Sequence, residues 1–235
     1  MKQILTYQPG KQSKPRKLGK LSIIGVDEAG RGAWAWPVVA ACVAWSGRNP
    51  IRGKLWDSKT LKPREREETY EEILVLAEQW KLSLGIGMID ATIIDAVGIR
   101  EANRRAMEGA LRSMCNVQCS MCNEGFCLKI DGRDNYIFDI PDLPKPEYVV
   151  RGDSKIKQIM AASIIAKVTR DRLMTDYENQ FIGYGFAKHK GYGTALHQEK
   201  LQELGVSEIH RKSYKPISAF ILLKTLWKDP ESLLS

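Results

Sequence analysis

At 235 residues with 43% hydrophobic side chains, the chain can bury a proper core, and its length suggests one domain with an appendage or two small ones. Its longest apolar runs, "PVVAACVAW" and "AFILL", fall well short of the roughly 20 residues that cross a bilayer, and no apolar run follows the first lysine; a cytoplasmic protein is expected, not a membrane or secreted one. The net charge of +8 favours a polyanionic partner, and its distribution is uneven.

Residues 1–20 carry Lys2, Lys11, Lys14, Arg16, Lys17 and Lys20 with no acid, which leaves only +2 for the rest of the chain. Two readings stand: a solvated, disordered arm, or a mobile arm that grips phosphates without regard to sequence. Residues 21–27 and 37–45 are short, nearly continuous apolar runs separated by a Gly-rich turn, the pattern of strands covered on both faces. Cys42 lies in the second run and reads as a small hydrophobe. From Pro63 to about Trp80, Tyr70, Ile73, Leu74 and Ala77 recur at helical spacing, predicting an amphipathic helix that opens on a proline. "KLSLGIGMI" (81–89) is strand-like, and a helical pattern runs from about Ala91 to Met114 with an interruption near Gly98.

"FCLKIDG" (126–132) alternates and stops at an Asp-Gly turn signal. "EYVV" (147–150) is a brief strand, and a strong helix is predicted from Lys155 to about Gln180. Within it, Ala161, Ala162 and Ala166 permit close approach to a sheet, while Arg170 and Asp171 read as a structural pair. Beyond Phe181 come two loops containing His and Gly, and helical stretches at 194–204 and 216–228. Strands alternating with helices, plus an early strand pair, predict an α/β fold with a mixed sheet and a helical appendage.

The acidic residues stand out because an ionised carboxylate at the edge of a core needs a partner, a proton or a metal. Asp27 ends one apolar strand, Asp131 ends another, and Asp153 follows a third in "VVRGDSK". In open α/β sheets, ligands bind beyond the carboxyl ends of strands, so the three acids have a place to converge. Each also has an ordinary reading: Asp153 as a helix N-cap, Asp131 as part of a turn, Glu28 as a surface residue. Asp27 and Glu28 share a site only if the strand ends between them, since neighbours on a strand face opposite ways. Convergence of all four demands hard divalent cations, Mg²⁺ or Mn²⁺, and with a nucleic-acid partner it points to two-metal phosphodiester hydrolysis.

"GVDEAGRG", "PVVAA", "DSKTL", "KIDG", "GDSKIKQIMAASIIAKVTRDRLM", "HKGYGT" and "IHRKSYKPI" stand in the order and spacing of the ribonuclease HII (type 2 ribonuclease H) family, from about Leu21 to Phe220, and seven such pieces in order are specific. The resemblance implies a ribonuclease H-like mixed five-stranded sheet flanked by helices, with a C-terminal helical region. By charge, residues 1–20 form a basic arm; the resemblance implies 21–180 as the catalytic domain, here carrying a Cys-rich insertion at 115–127, and 181–235 as a substrate-binding region. The implied partners are RNA–DNA hybrids and ribonucleotide-containing duplex DNA, nicked on the 5′ side of the ribonucleotide to leave 5′-phosphates, by a chain expected to be monomeric.

The resemblance implies Asp27, Glu28, Asp131 and Asp153 as metal ligands. It further implies Gly30, Arg31 and Gly32 at the 2′-OH and adjacent phosphate, Tyr192 on the sugar, and Lys59 on a phosphate, with Lys190 and Arg211 as lesser candidates for backbone contacts. The chain departs from the family in two places. Trp34 and Trp36 replace smaller residues and either stack on the substrate or cover the core. Cys115, Cys119, Cys122 and Cys127 are spaced for a structural Zn²⁺; an iron–sulfur cluster or free thiols are the alternatives. Two rivals remain: a non-catalytic binder that keeps the fold, against which the four retained acids argue, and ribonuclease HIII, which normally carries an extra N-terminal domain.

Overall fold

In the computed structural model the described residues are 22–56, 58, 60–117 and 126–228. The basic arm, Lys59, Cys119 and Cys122 lie outside them. Five strands, β1 (Ile23–Ala29), β2 (Val38–Trp45), β3 (Ser83–Ile89), β4 (Cys127–Asp131) and β5 (Glu147–Val149), form one mixed sheet in the order β3-β2-β1-β4-β5. β2 runs antiparallel to β1 and β3, whereas β1, β4 and β5 are mutually parallel. The helices are α1 (Pro63–Glu78), α2 (Ala91–Val97), α3 (Ile99–Val117), α4 (Lys157–Glu178), α5 (Phe186–His189), α6 (Ala195–Leu204) and α7 (Lys215–Lys228). The predicted break at Gly98 separates α2 from α3.

The continuous apolar run of β2 is buried along its whole length because helices cover both faces. Val39, Ala41 and Val43 join α1 and α4 in one core, and Val38, Ala40, Cys42 and Ala44 join α3 in the other. Cys42 behaves as a buried hydrophobe whose Sγ donates to the Ala110 carbonyl at 3.2 Å. Approach between β1 and α4 is unusually close, since a Cβ on Gly25 would stand 2.3 Å from the Gln158 backbone. A third, smaller core of Ala35, Met174, Tyr184, Phe186 and Ile209 joins α5 and its flanking loops to α4.

One detail of register makes the cleft. β1 pairs with β4 only from Ile23 to Val26, yet it continues beside β2 to Ala29. Past Val26 the sheet therefore splits at the carboxyl ends of two parallel strands, the position where this class of fold binds ligands. Asp27 and Glu28 stand on the split.

Candidate active site

Asp27, Asp131 and Asp153 each bring one carboxylate oxygen to within 4.8 Å of the others. Asp27 and Asp153 are buried, only 5% and 6% exposed. Each acid is held by its local fold. Asp27 accepts from the Glu28 N–H at 2.7 Å and from the Ser163 hydroxyl of α4, and Ser163 meets Ser58 at 2.8 Å. Asp131 ends β4 and accepts the Gly152 N–H at 2.6 Å, so the turn that carries Asp153 is tied to it. Asp153 is not a cap: it sits in a single 3-10 turn (Gly152–Ser154), and α4 starts after Ile156 with no side-chain cap.

Glu28 is outside this group of three, although it lines the same cleft. The expectation that the two acids share a site only if the strand ends between them is corrected: β1 continues through both. Both reach the cleft because β4 is no longer alongside. Glu28 is supported by the Asn103 side chain of α3, and the Arg31 guanidinium lies 3.9 Å away.

Burial, then the neighbouring charges of Glu28 and Asp131, push the Asp27 carboxyl well above the usual carboxylate range. Burial likewise raises Glu28 to about 7, with Arg31 and Asn103 pulling it the other way. Crowded, desolvated carboxylates resist ionisation unless a cation joins them. An oxygen-only donor set of this density fits a hard divalent ion.

The cleft has a volume of about 440 Å³, and Gly30, Arg31, Gly32, Tyr192 and Lys167 line it together with the acids. Gly30 has φ +90°, and a Cβ there would lie 2.0 Å from Arg170 Nε, so only glycine fits. Arg170 is fully buried and donates to the carbonyls of Pro37, Ala35 and Lys190 at 3.0, 3.2 and 2.8 Å. It therefore does not pair with Asp171, as the sequence suggested; Asp171 pairs with Lys167 at 2.8 Å. Arg211 is also fully buried and donates to the carbonyls of Arg31 and Trp36 at 3.0 and 2.6 Å. It braces the turn of residues 30–32 from behind and is not among the residues that line the cleft. Lys190 turns away as well, its Nζ donating to the Asp171 carbonyl at 3.1 Å.

Tyr192 faces the cleft with the Arg170 guanidinium 5.2 Å and the Lys167 ammonium 5.6 Å from its ring centre. Trp34 packs against the Gly193 backbone and His197, and Trp36 lies 4.7 Å from Tyr177. Neither indole lines the cleft, which favours the core-covering reading. Sequence reasoning missed Ser58, Ser163 and Lys167. Their only signal was position, Ser58 within "DSKTL" and the other two one helical turn apart on α4.

The mixed five-stranded sheet with carboxylates gathered at the ends of β1 and β4 is the architecture of the ribonuclease H fold. Among solved structures, ribonuclease H2 from Pyrococcus horikoshii OT3 aligns with a TM-score of 0.65 at 22% identity, covering 85% of this chain and 96% of that one. Bst-RNase HIII in complex with Mn²⁺ gives a TM-score of 0.68 at 17% identity, over 88% of this chain and 71% of that one. The family model described as Ribonuclease HII matches residues 24–217, and a ribonuclease HII from Dehalococcoides mccartyi is 43% identical over 86% of this chain and 90% of its own. The chain belongs to the ribonuclease HII family, type 2 ribonucleases H that cleave RNA in RNA–DNA hybrids and at ribonucleotides in DNA. No helix among the described residues is long and apolar enough to cross a membrane.

Proposed function

We propose that Asp27, Glu28, Asp131 and Asp153 together hold two Mg²⁺ or Mn²⁺ ions at the scissile phosphate, and that the chain incises on the 5′ side of a ribonucleotide within duplex DNA. The observation that carries this is the meeting of three carboxylate oxygens within 4.8 Å at the split of β1 from β4. Bound there, divalent ions supply an activated water and stabilise the attacking and leaving oxygens. The protein's own residues do the rest. Ser163 and the Gly152 N–H fix the carboxylates that would hold the ions. The backbone of Gly30, Arg31 and Gly32 is assigned to the 2′-OH and its phosphate, Tyr192 to the sugar face, and Lys59 and Lys167 to phosphates.

Every residue invoked comes from one chain. Residues 181–235 are assigned to duplex binding, and the basic arm of residues 1–20 to sequence-blind phosphate contacts. For Cys115, Cys119, Cys122 and Cys127 the zinc reading comes from their spacing; metal analysis of the purified protein beside a Cys119→Ser variant decides it.

The test is a labelled duplex carrying one ribonucleotide, with an all-DNA duplex beside it, in Mg²⁺. A single nick 5′ of the ribonucleotide, leaving a 5′-phosphate, is expected. No incision, or equal cutting of both duplexes, overturns the proposal.

A further inference from the structure

Arg31 stands at the mouth of the cleft with two carboxylates in reach. Glu28 is 3.9 Å from its Nη1. Asp134 takes the guanidinium bidentately, with Nη2 donating to Oδ1 at 3.0 Å and Nη1 donating to Oδ2. The site that makes this choice is itself fixed. Asp134 follows the Gly132 turn three residues after Asp131, and its backbone carbonyl accepts from Arg100 of α3 at 2.7 Å. Glu28, by contrast, has a side chain only 17% exposed, against 24% for Asp134.

We propose that Asp134 is a positioning residue for the metal site: it holds the Arg31 guanidinium off Glu28 and so keeps the Glu28 carboxylate open to a cation. This rests on the reading of Glu28 as a metal ligand. A guanidinium fork and a divalent ion want the same carboxylate oxygens, and arginine pairs most strongly where both N–H groups find acceptors. Without Asp134, the next acceptor for Arg31 is Glu28, in a less exposed place where an ion pair is less screened. Neither the Asp-Gly turn nor the Gly-Arg-Gly turn signals this alone; the fold brings residues 31 and 134 together.

The test is Mn²⁺ binding to the full chain without nucleic acid, read from the loss of the free-ion paramagnetic resonance signal, with thermal melts showing that each variant is folded. Asp134→Asn is expected to raise the Kd for Mn²⁺ about three- to tenfold, the size of one partly buried charge pair. In an Arg31→Ala background, the same substitution should change Kd by less than about twofold, because no guanidinium remains to fall onto Glu28. Equal weakening in both backgrounds would mean that Asp134 acts on the ion directly, and no weakening in either would mean it does not act at all; each overturns the proposal. A Glu28→Gln variant separates the two layers. If it binds Mn²⁺ as tightly as the parent, the ligand reading of Glu28 fails and takes this inference with it. If it binds weakly while Asp134→Asn binds normally, only the role of Asp134 is wrong.

Discussion

At the scale of single residues, charge and space make separable demands on the cleft. Asp27 is pressed by burial and by two neighbouring acids, a situation that a cation relieves. Asp27→Asn should lower incision on the order of a thousandfold and leave duplex binding within a few-fold, as measured by single-turnover cleavage beside a binding assay; retained turnover would remove Asp27 from the ligand set. Gly30 makes a spatial demand. With φ +90° and Arg170 Nε 2.0 Å from the Cβ position, Gly30→Ala costs about 1–3 kcal/mol of backbone strain and shifts the turn. A displacement near 1 Å is enough to cost on the order of a hundredfold in rate. Incision at a single ribonucleotide should fall by that order while the melting temperature drops only modestly. That Asp27, Asp131 and Asp153 come together was legible in the sequence, because a carboxylate set in or just beyond an apolar run is anomalous in one dimension; Glu28 was singled out only by the family resemblance. Arg170 and Arg211 were not legible, because nothing in a sequence distinguishes a solvated guanidinium from one buried against two or three backbone carbonyls. Asp134 was hidden in the same way, since its partner lies 103 positions away.

Among the elements, the seating of α4 on β1 sets the site. α4 carries Ser163 and Lys167, and the Asp153 turn precedes it, so its distance from β1 fixes the spacing among the carboxylates. Gly25 is what permits the approach: an added methyl would meet the Gln158 backbone at 2.3 Å. Gly25→Ala should destabilise the protein by about 3 kcal/mol, an overpacking cost at its upper range, and should loosen metal binding along with it; urea denaturation and Mn²⁺ titration of the same variant check both. The five strands and the longer helices were readable in order from the periodicity, including the break at Gly98; the single turn of α5 was not, since its four residues fall in a stretch that reads as a His- and Gly-containing loop. Register was not. The early end of the β1–β4 ladder creates the cleft, and it depends on where two chains meet, which periodicity within one strand does not record.

Over the whole molecule, titration couples two buried sets of groups that respond to pH in opposite directions. All three histidines of the chain gather around α5 and α6, with His189 and His197 rings 4.2 Å apart and His197 Nε2 3.0 Å from His210 Nε2. Burial lowers His197 to about 4 and His210 to about 3. Unfolded, they would bind protons from about pH 6.5 downward, so they leave stability unchanged above that pH and erode it as pH falls toward 4. By pH 5 the loss is about 2 kcal/mol for each. Asp27 and Glu28 are raised, so without metal they favour the folded state as pH falls through 7. Metal-free parent protein should therefore show a shallow pH profile between 7 and 5, and an Asp27→Asn, Glu28→Gln variant a steep decline, by urea denaturation at each pH. On the same scale, removing residues 1–20 should reduce the salt slope of duplex binding by up to about 5 if all six cations there touch phosphate.

The hold of Arg211 on the carbonyls of Arg31 and Trp36 joins positions 180 and 175 residues apart, and an isolated bridge from Ala35 to His210 runs beside it. Chains emerge from the ribosome N-terminus first. The four carboxylates and all five strands thus precede Arg211 on the nascent chain, and the Gly30–Gly32 turn stays without this support until residue 211 has emerged and folded back across the sheet.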